Sequence, residues 1–265
     1  MAVLLSQGEK NFLAQMIASN IRIDGRTRTD IRPVCLEVLH ANDEAPEILA
    51  DVSCRASIGK TRLLVGISLA IETPAPHAPD QAILRISWMN SAANEPTPEQ
   101  TETYELYTDI LHASLIAKGG LDLSSELLAP FPGEKVWAVS VDILVFDDAD
   151  GGVLDLSSLA ACAALADLTI PAVREKDGAV IIDEEDRKPL DGAPPLVTTV
   201  GMFQQEFAAD MTGKEEATAR TVVHIASRGG RVGLVRTRGL GAILPAQLTT
   251  AVELAMGVEQ RRSVA

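Results

Sequence analysis

The spacing of apolar residues alternates twice between a helical period and short β-like runs. From Ser6 to about Ser19, apolar residues recur on one helical face. Ser6 and Glu9 form a capping box that predicts the helix start, because each side chain can pair with an N–H that the first turn leaves free. Four runs rich in Val and Ile follow and predict strands, and the tight turns between them favour antiparallel pairing. These runs cover residues 33–39, 49–58, 61–72 and 81–88.

The second half of the chain repeats this order of elements. A helical period without Gly or Pro over 99–117 closes the first half. The next helices are predicted over 155–168 and from Pro245 to about Gln260, since proline suits the first turn of a helix. Strands are predicted near residues 135–147, 172–182, 195–207, 219–228 and 231–239.

This order predicts an α+β fold made of two similar βαβα-type halves, with mixed sheets packed against helices. The N-terminal helix and an arginine-rich loop occupy residues 1–32, and one domain follows over 33–265. Its two halves are expected to cover about 33–130 and 131–265.

Composition and charge limit the classes of function that the protein can have. Aromatic residues make up only 3% of the 265 residues, so the core should consist of small aliphatic side chains. The net charge of −14 argues against a free-standing nucleic-acid binder, because it repels phosphate backbones. The charge is uneven: residues 131–219 hold 6 basic and 18 acidic side chains, whereas residues 220–265 hold 7 and 2.

No motif for a metal, cofactor or membrane stands out. The three cysteines, Cys35, Cys54 and Cys162, have no CxxC spacing and are expected to be reduced core thiols. Asp183–Asp186 is expected to be a solvated loop, and Gly59-Lys60-Thr61 a β-turn between two strands. Without a secretory signal or a run of about 18 apolar residues, the protein is expected to be soluble and intracellular, with no membrane partner. The four histidines, His40, His77, His112 and His224, are scattered and are expected to be ordinary surface or core residues.

Two groups of arginines are the most suggestive polar feature. Arg22, Arg26, Arg28 and Arg32 lie within 11 residues, close enough to clamp phosphates or to pair with carboxylates. The favoured interpretation is that acids of the 131–219 segment neutralise them within the fold, and RNA or subunit contact is the alternative. The same two interpretations apply to Arg228, Arg231, Arg236 and Arg238, which flank a predicted hairpin turn at Gly229-Gly230.

The order of several short motifs resembles the RNase PH family along nearly the whole chain. The motifs are Ile23–Arg26 with Arg32-Pro33, Ile58–Val65, Val141–Asp147, Asp150–Gly152 followed by an Ala-rich helix and Ile170-Pro171, and Asp210 with Glu215-Glu216. Within that family, further segments are similar to those of a ring subunit of the RNA exosome. They are Leu5–Lys10, Asn20–Arg26, Glu72–Pro74 and Ser91–Pro96.

The resemblance implies an RNase PH-like fold and a hetero-hexameric ring of related subunits, through which RNA is threaded. RNA-binding cap subunits are expected as further partners. The location implied is the nucleus, including the nucleolus, and the cytoplasm, and the role implied is RNA processing and degradation, rRNA processing included.

The chain departs from active members of the family at the positions that carry catalysis. Active members hold phosphate with a Thr-Arg pair after Asp-Gly-Gly, where this chain has Val153 and Leu154. Active members also have a basic pair on the helix that matches Tyr104–Leu115, and the corresponding residues here are Thr108 and His112. Of their two aspartates about six residues apart, the first aligns with Glu216 and the second with Val222 or Thr221. Asp210 is a further position of this degenerate site.

These departures predict a non-catalytic ring subunit that needs no cofactor or metal. An apolar side chain can neither coordinate an ion nor relay a proton, and without basic side chains the phosphate nucleophile and the RNA repel each other. An active phosphate-dependent 3′–5′ exoribonuclease, working alone or through a site shared with a neighbour, is the alternative. A binding module unrelated to the exosome is a third possibility.

Overall fold

The computed structural model describes residues 5–40, 50–90, 97–176 and 179–263. The helices are α1 (Gln7–Ala18), α2 (Pro98–Leu115), α3 (Val153–Asp167), α4 (Gly213–Glu216) and α5 (Pro245–Ser263). The strands are β1 (Val34–His40), β2 (Val52–Ile58), β3 (Thr61–Glu72), β4 (Ile83–Asn90), β5 (Val136–Asp147), β6 (Thr169–Lys176), β7 (Ala179–Pro189), β8 (Leu196–Phe203), β9 (Glu206–Ala209), β10 (Thr221–Arg228) and β11 (Arg231–Gly239). The Ser91–Pro96 segment used in the resemblance lies outside the described residues.

The one predicted capping box is confirmed, and the structure contains a second at α2. Ser6 and Glu9 form the capping box of α1, with Leu13 and Ile17 on its buried face. Thr97 and Gln100 form a second capping box at α2. Each box pairs two backbone N–H groups that the first turn of a helix cannot pair internally.

The first sheet has the strand order β1-β2-β3-β5-β4. Strands β1, β2 and β3 pair antiparallel, and β2 and β3 are joined by the predicted tight turn at Gly59-Lys60. The expectation of antiparallel pairing is wrong for β4, which pairs parallel with β5. The reason is the connection: α2 lies between β4 and β5, and a helical crossover is what a parallel pair requires.

The second sheet has the order β11-β10-β8-β9, and β6 and β7 form a separate two-stranded hairpin. The single strand predicted over 172–182 is therefore wrong, because the chain reverses within it and continues as β7. Asp183–Asp186 lies in β7 and is not a loop. Its carboxylates are tolerated in a strand because this hairpin is solvent-exposed, and Asp183 and Asp186 pair with Arg174.

Helix α3 packs between the two sheets and forms the centre of the main core. It is buried along almost its whole length and contacts β2, β3 and β8. It begins at Val153, two residues before the predicted start, after Gly151 and Gly152 in the left-handed region (φ 67° and 71°). A Cβ on Gly151 would lie 2.6 Å from the backbone nitrogen of Gly213, so this approach requires glycine.

Strand β5 belongs to the same sheet as β1–β4. The change from the first sheet to the second thus comes after Asp147, whereas the two predicted halves meet at 130/131. The arginine loop within 1–32 packs on the second sheet and on the residues that follow it. The domain division itself stays a prediction.

Two of the three cysteines behave as predicted. Cys54 and Cys162 are buried free thiols, and burial raises the pKa of Cys54 to about 11 and that of Cys162 to about 12. The prediction of a core thiol is wrong for Cys35, which is exposed because it lies on the edge strand β1. None of the helices in the described part of the chain combines the length and hydrophobicity needed to span a bilayer.

Truncating a side chain at the centre of the first sheet should cost much more stability than truncating the same side chain on the hairpin. Ile143 is 0% exposed, so Ile143→Ala should lower the free energy of unfolding by about 3 kcal/mol. Ile181 is 46% exposed, so Ile181→Ala should change it by less than about 1 kcal/mol. Urea unfolding followed by circular dichroism measures both, and equal losses would contradict this account of the core.

Candidate functional site

The arginine loop is anchored inside the protein by acidic partners. Arg22 is 2% exposed and donates from Nε to Glu215 Oε1 (2.9 Å). Its Nη1 and Nη2 atoms donate to the carbonyl oxygens of Ala209 (3.0 Å) and Asp210 (2.7 Å). This guanidinium is fully desolvated, and the paired carboxylate and carbonyl acceptors replace its lost hydration.

Asp210 is the carboxylate shared by the other loop arginines. It accepts from Arg26 Nη1 (2.8 Å), from Arg32 Nη2 (2.7 Å) and from the Arg32 backbone N–H (2.5 Å). Burial by itself would raise the pKa of Asp210, but the hydrogen bonds and charge of Arg32 outweigh it and lower the pKa. Arg262, from the C-terminal helix, adds a cation 3.6 Å from Oδ1.

Internal neutralisation, the favoured interpretation of the first arginine group, is what the structure contains. Arg28 completes the set by pairing with Glu206 at the surface. The partners Glu206, Asp210 and Glu215 all lie in the acidic 131–219 segment. Arg22, which was a candidate for contact with RNA or another subunit, cannot make that contact, because its side chain is wholly inside the fold. For Arg26, Arg28 and Arg32 such contact stays a prediction.

The second arginine group lies on a hairpin, as predicted. Gly229 and Gly230 have φ of 55° and 76° and form the turn between β10 and β11. Arg228 is partly buried and donates to the Pro194 carbonyl (3.2 Å). Three side chains, those of Arg231, Arg236 and Arg238, are exposed on the edge strand β11. Their role in RNA or subunit contact stays a prediction.

A cleft of about 1120 Å³ collects most of the degenerate positions. Its walls are α2, the loop between β5 and α3, and α4, and its floor includes β8 and β10. Four predicted positions line it: Val153, Leu154, Glu216 and Val222. Asp210 lies outside this lining, in the ion-pair network beside it.

Thr108 and His112 are not among the residues that line the cleft. Thr108 Oγ1 accepts a hydrogen bond from Trp88 Nε1 (3.0 Å), which ties α2 to β4. His112 lies in the last turn of α2. This pair therefore does not share the cleft lining with the other degenerate positions.

The start of α3 is occupied by a carboxylate of the protein itself. The Gly152 N–H donates to Glu216 Oε1 (2.8 Å), at the end of a helix where N–H groups and the helix dipole favour an anion. Burial raises the pKa of Glu216 to about 7, against the Gly152 hydrogen bond, which lowers it. Leu154, two residues into the helix from Gly152, is buried in the core.

The floor of the cleft contains a polar chain that the sequence pattern did not reveal. Asp155 is buried, with Arg262 3.5 Å from its Oδ2 atom, and it accepts from the Thr199 hydroxyl at Oδ1 (2.5 Å). Thr199 Oγ1 lies 3.1 Å from His224 Nδ1. Burial, together with the nearby charge of Arg238, lowers the pKa of His224 to about 4, so its imidazole is neutral at pH 7. No spacing in the sequence connects Asp155, Thr199 and His224.

Metal binding has no cluster to support it in the described ranges. No group of three or more His, Cys, Asp or Glu side chains among these residues is arranged to hold an ion.

Comparison with known proteins gives a consistent result. Residues 49–171 match the RNase PH family, which is described as the 3′ exoribonuclease family, domain 1. The exosome complex component Rrp42 of Sulfurisphaera tokodaii is 30% identical over 260 residues, which cover 96% of this chain and 91% of that protein. The Rrp42 component of Methanosarcina acetivorans is 27% identical, covering 97% and 92%.

Solved structures share the fold. A chain of an archaeal exosome core has a TM-score of 0.75 at 23% identity and covers 96% of both chains. A chain of the Archaeoglobus fulgidus exosome with RNA bound to the active site has a TM-score of 0.76 at 24% identity, covering 96% and 95%. These similarities confirm the predicted α+β, RNase PH-like fold.

Removing the shared carboxylate should destabilise the protein strongly. Asp210→Asn leaves the guanidinium groups of Arg26 and Arg32 without their anion, and breaking a buried pair on one side costs about 3 to 5 kcal/mol. The matched control is Glu37→Gln, which removes a carboxylate that accepts from Arg55 at the surface (2.8 Å) and should cost at most about 1 kcal/mol. Chemical unfolding at pH 7 measures both, and equal costs would show that the buried network does not anchor the loop.

Glu216→Gln should change how stability depends on pH. A carboxyl group with a raised folded-state pKa contributes stability that is complete below its ordinary pKa of 4.5 and is lost as the pH rises to about 7. The stability of the wild type relative to Glu216→Gln should therefore fall between about pH 4.5 and 7 and then level off. The opposite effect of His224 is present in both proteins and cancels in the difference.

The control for this pH profile is Glu253→Gln, which changes an exposed glutamate on α5. Its stability difference from the wild type should stay nearly constant over the same range. Urea midpoints measured in steps of half a pH unit test both variants. A Glu216→Gln difference as flat as that of the control would show that Glu216 titrates normally in the folded protein.

Proposed function

The chain belongs to the RNase PH family of 3′ exoribonucleases, and from this premise we propose that it is a non-catalytic ring subunit of an RNA exosome. Relatives that match it over nearly their whole length are Rrp42 components of exosomes, which supports the ring assignment. The proposed role is to scaffold a hetero-hexameric ring and to help guide RNA during 3′–5′ processing and degradation. Processing of rRNA is part of the proposal.

The occupied start of α3 is the observation that carries the non-catalytic part of the proposal. Phosphorolysis brings a phosphate ion against a phosphodiester, so a site for it must first overcome the repulsion between two anions. Here the Gly152 N–H is paired with the Glu216 carboxylate, and the adjacent side chains are Val153 and Leu154. A phosphate ion would have to displace a carboxylate and would gain no cation from these two residues.

The position of the second catalytic aspartate supports the same conclusion. Val222 lines the cleft, and its apolar side chain offers no ligand to a metal ion and no group that exchanges a proton. Glu216 is thus the one carboxylate at the two positions where active members of the family carry a pair of aspartates.

Exposed apolar side chains on the edge strands support assembly with other subunits. Leu36 on β1, Met89 on β4 and Val232 on β11 are exposed, and each of these strands is at the edge of a sheet. Unpaired edges with apolar side chains are sites where another chain adds or packs. The proposed neighbours are other RNase PH-like exosome subunits, more basic than this acidic chain, with RNA-binding cap subunits above the ring.

The exposed arginines are the proposed contacts to RNA or to neighbouring subunits. Accessible side chains are those of Arg231, Arg236 and Arg238, which are exposed, and that of Arg28, which is partly exposed. The side chain of Arg22 is buried. The relatives come from archaea, so they give no support to the nuclear and nucleolar location expected from the sequence. The cytoplasm is the location retained in the proposal.

The lone chain should not degrade RNA. Purified full-length protein incubated with single-stranded RNA and inorganic phosphate is expected to release no nucleoside diphosphates, because the phosphate position holds Glu216, Val153 and Leu154. An active phosphorolytic RNase PH under the same conditions is the control. Phosphate-dependent release of nucleoside diphosphates by the lone chain would favour the exoribonuclease alternative.

A separate experiment tests whether the chain is a ring subunit. Gentle recovery of the chain from its source followed by mass spectrometry should yield several RNase PH-like proteins of similar size. A stable monomer that recovers none of them would favour a binding module unrelated to the exosome.

A further inference from the structure

The floor of the cleft ends in a buried acceptor without a partner. The Thr199 hydroxyl has one proton, and Asp155 Oδ1 receives it at 2.5 Å. Thr199 Oγ1 must then accept from His224, so the imidazole proton lies on Nδ1 and Nε2 carries a lone pair. His224 is 3% exposed, and its Nε2 atom has no hydrogen-bond partner among the residues described.

This lone pair is directed away from Thr199, because Nε2 lies on the other side of the ring from Nδ1, and His224 lines the cleft. A buried acceptor without a partner costs free energy, and a ligand with an N–H group would recover it. The unpaired Nε2 atom therefore favours a ligand that donates a hydrogen bond.

The charges around the cleft select a cation. Four lining side chains are carboxylic acids: Glu99, Asp147, Asp148 and Glu216. Arg238, exposed at the rim, is the one arginine or lysine among the lining residues in the described ranges. Charges of one sign along a cleft attract ions of the opposite sign and repel phosphates.

Two tyrosine rings in the cleft are suited to an ammonium group. Tyr104 and Tyr107 line the cleft, and Tyr104 is held in place by stacking on Trp88, with ring centroids 5.0 Å apart. Tyr107 meets His224 edge-on at 6.3 Å. Tyrosine faces attract ammonium groups through their quadrupole, and carboxylates provide the counter-charge.

We propose that this cleft binds a small organic ammonium ion of the linear polyamine class. One N–H group donates to His224 Nε2, and the remaining charge is balanced by Glu216, Asp147 and Asp148. The volume of about 1120 Å³ accommodates such a flexible chain. This ligand site is independent of the ring function proposed above, and it does not require catalysis.

Spermidine titrated into the full-length protein by isothermal titration calorimetry tests the proposal. His224→Phe keeps a flat ring but removes the acceptor, and it should weaken spermidine binding about tenfold. Arg238→Gln removes the arginine at the rim, whose charge opposes a cation, and should tighten binding about threefold. Arg238 is exposed, so this variant keeps the fold even if His224→Phe lowers stability.

A matched control separates the cleft from diffuse charge. Glu216→Gln and Glu185→Gln each remove one carboxylate, the first in the cleft and the second on β7. The first should weaken spermidine binding about fivefold, and the second should leave it unchanged. Equal weakening by both would overturn the proposal, because it would mean non-specific attraction to an acidic protein.

Adenosine monophosphate serves as the anionic probe in the same experiment. It should bind more weakly than spermidine, and Arg238→Gln should weaken it further. Tighter binding of the nucleotide than of spermidine, or weaker spermidine binding in Arg238→Gln, would overturn the proposal in favour of an anion site.

Discussion

The desolvated carboxylate of Asp210 is the interaction on which the rest of the structure depends. It receives hydrogen bonds from Arg26 and Arg32, and Arg262 of the C-terminal helix lies close to it. Arg32 also donates to the Asp150 carbonyl (2.8 Å), just before the glycines that open α3. One buried anion thus connects the N-terminal loop, the start of the central helix and the end of the chain.

This network also explains the character of the neighbouring cleft. Three of the four loop arginines, Arg22, Arg26 and Arg32, pair with Glu215 or Asp210 inside the fold. The start of α3 then pairs with Glu216, and Arg238 is the one cationic side chain among the described residues that line the cleft. A helix start ordinarily favours an anion, but here a carboxylate of the protein already occupies it and further acids line the cleft.

The central helix makes this arrangement possible through its small side chains. The sheets approach α3 closely because its buried face consists largely of Ala, Ser and Leu. Asp155 is a carboxylate among these residues, and it is tolerated because Thr199 and Arg262 supply its donors. The polar chain to His224 is therefore a consequence of packing a charged residue in the middle of the molecule.

The sequence by itself determined the elements whose signals are local. The capping box at Ser6 and Glu9, the turns at Gly59-Lys60 and Gly229-Gly230 and the family motifs each depend on residues close together in the chain. The tertiary structure alone decided the pairings that join distant segments: β4 with β5, Arg22 with Glu215 and Thr199 with His224. Such contacts depend on how the whole chain excludes water, since only desolvation gives one acidic partner preference over the many others that the sequence offers.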